Sequence, residues 1–259
     1  MTPILQSRLP FAPWMDPRTW RLPGILPVEG DDWLRLDDAF AGQMAERDRL
    51  IAGHLDAVHA LLPDAISAAG ELLEMVLARL SVTDGYRVGA GQVLRPDGVT
   101  VLLDRDQPLV TLGRLVQADL CLLQRQGTEH ALTGAILCFP ASWTLAQKIG
   151  RPMTGIHVPV APYDDNIAKR VQRLFDAIRV GQPLQRWNAL VYDDPTLHQP
   201  RSEGQHRPPP QNRVYLRSER QCLLRLPQTG AVVFAIHTSV VRLANLDPAA
   251  RDGMTAAGL

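Results

Sequence analysis

The sequence predicts an α+β fold: a mostly antiparallel sheet with flanking helices, behind an N-terminal helical segment rich in Pro and Trp. Three observations carry this. Apolar residues between Asp37 and Leu80 recur at helical spacing. From Tyr86 onward the chain turns to short β-rich pieces broken by Gly and Pro. Its last two apolar runs, Val214–Leu226 and Ala231–Val241, are separated only by Pro227-Gln228-Thr229-Gly230. Helices followed by such strands place the chain in the α+β class.

The elements follow in order. Residues 1–36 hold Pro10, Pro13, Trp14, Pro17, Trp20, Pro23, Pro27 and Trp33, too aromatic for disorder, and read as an ordered arm anchored by indole rings. Asp37 and Asp38 are placed as N-caps of a helix whose apolar stripe runs from Phe40 to Leu62 and stops at Pro63. Ala65–Leu80 makes a second helix. Pro96-Asp97-Gly98 is a hairpin-type turn. Leu112–Gln124 suits helix or strand, and Ala131–Phe139 a buried strand. Ser142 is placed to cap a short helix through Lys148, and Asn166–Val180 is amphipathic. Residues 195–212, polar and rich in Pro and His, read as a loop or flexible insert. The division expected is an arm over 1–36, one α+β domain over 37–247, and a flexible tail over 248–259.

Composition narrows the function. The chain has 259 residues, 46% of them hydrophobic, with 27 basic and 27 acidic side chains and net charge +0. Such balance argues against general binding to nucleic acid or to an anionic membrane. The N-terminus lacks the pattern of a signal peptide, and no apolar run suits a membrane span, so the chain reads as soluble and cytoplasmic. Cys121, Cys138 and Cys222 sit in apolar surroundings outside any CxxC pair, as reduced, buried thiols do. Phosphate-loop, dinucleotide, HExxH and GxSxG signatures are absent, so electrons for any redox chemistry come from elsewhere.

The candidate residues cluster late. His157 stands between Ile156 and Val158 in a segment closed by Pro159 and Pro162. If Ile156, Val158 and Val160 face the core of an extended run, His157 points toward a second layer or a ligand pocket. A histidine satisfied by a backbone carbonyl is the simpler alternative. Tyr163, Asp164 and Asp165 precede a helix; capping explains the carboxylates, and a place beside an ammonium-type substrate is the functional alternative. On a strand, Arg217, Glu219 and Gln221 share one face, while Ser218, Arg220 and Cys222 share the other. Either arginine suits cross-strand ion pairing or a buried anion such as a cofactor carboxylate. His237 is the runner-up ligand and His130 the third.

Four stretches together resemble the haem-dependent oxidative N-demethylase family: FAPWMDPRTWRLPGILP, PASWTLAQKIGRPMTGIHVPV, RWNALVYDDPTLH and LRSERQCLLRLPQTGAVVFAIHT. The resemblance implies a PAS-like fold used as an enzyme. It implies haem b with its iron, a small secondary amine such as dimethylamine as substrate, O₂, and electrons from a partner flavin and iron–sulfur reductase, with release of formaldehyde. By this resemblance His157 is the axial iron ligand, Arg217 or Arg220 pairs with a haem propionate, and Tyr163 or Asp165 stands on the substrate side; His237 is a further cofactor-binding candidate. A Cys-ligated haem is the alternative for the thiols. A non-catalytic, ligand-binding PAS-like sensor or accessory subunit stays open as a second reading, and a homo-oligomer is compatible with either. Departures from the family pattern fall at Gln117-Ala118-Asp119, Arg186-Trp187-Asn188-Ala189, Ile236-His237-Thr238-Ser239 and the PVAPY stretch, and they bear on the substrate more than the fold.

Overall fold

The computed structural model describes residues 2–21, 23–157, 165–205 and 207–259, and it leaves out the side chains of His157 and of residues 165–169. The helices are α1 Pro17–Trp20, α2 Phe40–Gly53, α3 Leu55–Val58, α4 Ile66–Leu80, α5 Pro108–Leu115, α6 Met153–His157, α7 Asp165–Ala177 and α8 Pro248–Gly253. The strands are β1 Leu26–Pro27, β2 His59–Leu61, β3 Arg87–Val88, β4 Gln92–Leu94, β5 Thr100–Leu102, β6 Ala118–Gln126, β7 Glu129–Ile136, β8 Leu184–Tyr192, β9 Tyr215–Arg225 and β10 Val232–Arg242. The α+β class holds.

Seven strands form one antiparallel sheet in the order β1-β8-β9-β10-β6-β7-β2, and β3-β4-β5 form a small second sheet. The centre of the large sheet is the β9–β10 hairpin, paired from Arg225↔Val232 to Tyr215↔Arg242. Its turn is clamped from α4, where the Glu71 carboxylate accepts from the amides of Gln228 at 2.6 Å and Thr229 at 2.8 Å.

Alternation along the strands builds two different faces. One face carries Leu120, Leu122, Cys222, Leu224, Val233 and Ala235 into a core closed by α2, α4 and α5. α4 owes its place to Leu72, Leu73, Val76, Leu77 and Leu80, all buried on one side of the helix. α5 presses so closely on β7 that a Cβ on Gly113 would lie 2.5 Å from Ile136 Cγ1, which explains the missing side chain there. The other face carries Cys121, Leu123, Leu223 and Ile236 toward α7.

Several expectations change. The helix predicted through Leu62 ends at Gly53, and His59–Leu61 becomes β2 because pairing with β7 outweighs local propensity. Asp37 and Asp38 do not cap α2, whose N-cap is Ala39 without a side-chain bond. Leu112–Gln124 splits, with α5 ending at Leu115 and β6 beginning at Ala118. Ser142 caps nothing: it has φ +66°, its amide bonds the Gln199 carbonyl, and the short 3₁₀ turn is Leu145–Gln147. The segment carrying His157 is helical as far as that residue, because Pro152 starts a turn that the Ile156 amide closes at 2.9 Å. Val158, Val160, Tyr163 and Asp164 lie outside the described residues, as does the side chain of Asp165. Residues 248–259, expected as a tail, carry α8 and meet the N-terminal arm: Trp14 Nε1 donates to the Ala250 carbonyl at 2.7 Å and Trp20 Nε1 to that of Ala257 at 3.1 Å. No helix among the described residues is long and apolar enough to cross a membrane.

Candidate functional site

The face of the sheet away from α2, α4 and α5 floors a cavity of about 1130 Å³. Two kinds of side chain share that floor. Cys121, Leu123, Leu132, Leu223, Phe234 and Ile236 make it apolar at one end. Arg186 and Asn188 on β8, with Arg217, Glu219 and Gln221 on β9, make it polar at the other. α7 closes the cavity with Val171, Leu174 and Phe175, and α6 with Met153 and Ile156. A third wall comes from Trp143, Lys148, residues 201–205 and Arg207. A shift of register between Leu122 and Leu123 bends β6 beneath the apolar end.

The polar end is tightly bonded at its centre. Arg217 is 3% exposed and engages all three guanidinium nitrogens: Nε with Glu219 at 3.2 Å, Nη1 with the Leu197 carbonyl at 2.9 Å and Nη2 with the Phe139 carbonyl at 2.5 Å. Glu219 also accepts from Asn188 Nδ2 at 3.0 Å and Gln221 Nε2 at 3.2 Å. Behind Phe139, Asp119 holds the chain by accepting from the amides of Cys138 at 2.7 Å and Phe139 at 2.9 Å, and it pairs with buried Arg47 at 2.6 Å.

Three arginines around this cluster, Arg186 on the floor and Arg201 and Arg207 on the covering loop, are different. Nε of Arg186, Nε of Arg201 and Nη1 of Arg207 are buried without a hydrogen-bond partner among the described residues. Arg207 stacks on Tyr192 at 3.9 Å from the ring centre. Burial lowers the Arg186 guanidinium from its ordinary value, and nearby Glu219 offsets part of that. Buried donors without acceptors are costly. Three converging on one cavity mark a place for anionic groups, and the apolar end suits a flat, greasy body. This lining fits a large apolar cofactor with carboxylate edges.

The family model for haem-dependent oxidative N-demethylase, alpha subunit-like proteins matches residues 24–256. The chain belongs to that family. The match takes in the cavity from Ile25 to Ile236. The N-demethylase family's haem dependence accords with a lining of this chemistry. The family is described as alpha-subunit-like, after a subunit of a multi-subunit enzyme.

Among the residues singled out from sequence, Arg217 lies in the cavity. His157 follows the lining residue Ile156 at the end of α6, with its side chain outside the described residues. Arg220 and His237 sit directly opposite one another on β9 and β10, on the sheet face turned away from the cavity. There Arg220 Nε bonds Gln185 at 2.8 Å and His237 Nε2 meets Asp37 at 2.8 Å. His130 packs on Phe175 and bonds Gln172. Cys121 reaches the cavity, and burial pushes its thiol up. No group of three or more His, Cys, Asp or Glu suited to hold a bare metal ion occurs among the described residues, whereas a haem iron brings four of its own ligands. Sequence reasoning named Arg186 only within a departure from the family pattern, and it missed Arg201 and Arg207. For the last two, the only signal was arginine inside a Pro-rich stretch otherwise short of charge pairs.

Proposed function

We propose that this chain is the haem-bearing catalytic subunit of an oxidative N-demethylase acting on a small secondary amine such as dimethylamine. The observation that carries the reading is the cavity, apolar at one end and lined at the other by three arginines that each bury a nitrogen without an acceptor among the described residues. Haem bound there supplies the iron that activates O₂. The overall change balances as secondary amine, O₂, two electrons and two protons giving primary amine, formaldehyde and water. The electrons come from an external reductase of flavin and iron–sulfur type, in keeping with the lack of a nicotinamide signature in this chain.

The chain's own residues do the holding and screening. His157 would ligate the haem iron, since α6 brings its neighbour Ile156 to the cavity wall. Arg201 and Arg207 pair with the cofactor's carboxylates, satisfying donors that otherwise have no acceptor. Arg217, fully engaged with protein acceptors, fixes Glu219 instead. Phe175, Leu174 and Trp143 exclude water from the reacting end. Tyr163 and Asp165, at the approach to α7, are the proposed groups on the substrate side.

Purified protein given haem should develop a Soret band, and His157→Ala should abolish or shift it. With a reductase and dimethylamine the loaded protein should make formaldehyde. Absence of a Soret band overturns the reading. Haem uptake with no turnover of any amine would make the chain a non-catalytic binding subunit.

A further inference from the structure

We propose that the amine accepted by this cavity carries a carboxylate of its own, as an N-methylated α-amino acid does, with Arg186 binding the carboxylate and Glu219 the ammonium. The proposal rests on the reading of the cavity as the haem-bearing demethylase site. It differs from that reading in the class of amine.

The floor sets two opposite charges side by side. Arg186 pairs across the sheet with Gln221, and Asn188 pairs with Glu219, so Arg186 and Glu219 are diagonal neighbours on one face. Diagonal neighbours on adjacent strands stand about 7–8 Å apart at the backbone, within reach of long side chains. They form no ion pair with each other: Glu219 is taken by Arg217, Asn188 and Gln221, while Arg186 Nε is buried without a partner among the described residues. Glu219 is 7% exposed, and its oxygens face a cavity, where a further N–H can be accepted.

Counting charges points the same way. Haem brings two carboxylates, which Arg201 and Arg207 on the covering loop can meet; Arg170 on α7 also lines the cavity but is exposed to solvent. Arg186, on the floor beside the polar cluster, is left over. A plain dialkylamine offers it nothing and adds positive charge beside it. An N-methyl amino acid supplies the missing anion and places its ammonium next to Glu219. A site built to bond a substrate group discriminates strongly against the analogue that lacks it. The chemistry balances as before: N-methylglycine, O₂, two electrons and two protons give glycine, formaldehyde and water, the electrons again from the reductase.

The test is calorimetric titration of the haem-loaded protein with N-methylglycine and with dimethylamine. N-methylglycine should bind at least about tenfold more tightly. In Arg186→Met the ratio of the two affinities should fall to near one, and Arg186→Lys should recover part of it. Equal affinities in the unaltered protein overturn the proposal, as does a ratio that Arg186→Met leaves unchanged. If Arg186→Met instead loses haem, Arg186 serves the cofactor and the proposal fails. A chain that takes up no haem overturns the proposed function before any titration. Calorimetry with N-methylglycine on that protein then still reads the Arg186–Glu219 pair by the same outcomes.

Discussion

Lys148 and Glu203 meet across the cavity wall, Nζ to Oε1 at 2.6 Å, and the same ammonium donates to the Ile156 carbonyl at 2.6 Å. One buried cation thus ties the covering loop to the residue preceding His157. The Lys148 hydrogen bond holds the Glu203 carboxyl below its usual range.

Lys148→Met leaves the Ile156 carbonyl without its donor, a loss of about 1–3 kcal/mol. The expected outcome is faster transfer of haem to apomyoglobin and a shifted Soret maximum. Glu203→Gln, which frees the loop but leaves Lys148 on Ile156, should speed transfer with less spectral change. Identical spectra and rates in all three proteins would count against the tie.

Arg47 and Asp119 form an ion pair with side-chain exposures of 0% and 1%. Arg47→Met strands a buried carboxylate and should cost about 3–5 kcal/mol in urea unfolding. Asp119 also positions Phe139, whose carbonyl accepts from Arg217, so the loss should reach the cavity. Adding Asp119→Asn to Arg47→Met should recover part of the stability, because the stranded charge is then gone. A loss below about 1 kcal/mol in the single variant would refute the role of the pair.

Asp37 predicts a pH dependence. Burial works against its charge, but the hydrogen bond and charge of His237, with donors from Gln117 and Gln6, outweigh that and hold it below its ordinary 3.8. A carboxyl depressed in the fold binds its proton less readily than in the unfolded chain. Its contribution is complete above the ordinary value and is lost as the pH falls through the depressed one. Asp37→Asn should therefore flatten the decline of the urea midpoint between about pH 5 and pH 3. Parallel curves for the two proteins would show that Asp37 carries none of the acid sensitivity.

The thiols should be silent. Burial pushes Cys138 up to about 12 and Cys222 up to about 11, and raises Cys121 further. Ellman's reagent at about pH 8 should find no reactive thiol in the native protein and three after denaturation. Rapid native reaction that Cys121→Ala abolishes would mean that the cavity wall opens readily.

Much of this was legible in sequence where periodicity carried it. The alternation in YLRSERQCLLR sets Arg217, Glu219 and Gln221 on one face and Arg220 and Cys222 on the other, and the cavity uses the first set. α4, α7 and the last hairpin follow the same logic. The stretch 195–212 has no apolar period, so nothing local says that Arg201 and Arg207 fold over the sheet. Its position depends on contacts across the chain: Gln199 with Pro140, Leu197 with Arg217, and Glu203 with Lys148. Asp119 was likewise opaque, since a carboxylate inside an apolar ladder reveals its purpose only when Arg47 arrives from α2. His157 was read as extended from the Ile and Val around it, and Pro152 decides otherwise by starting a turn.

The order of strands has a consequence for biogenesis. β10 lies between β9 and β6, so the cavity floor joins the middle of the chain to its last third. While β10 is still unmade, β6 has no partner on that side and the floor is half its final width. Such distant pairings form late and slowly. On the proposed reading, cofactor capture then has to wait until the hairpin has formed and paired with β6. A chain truncated before Val232 would be a folding intermediate with nowhere to put it.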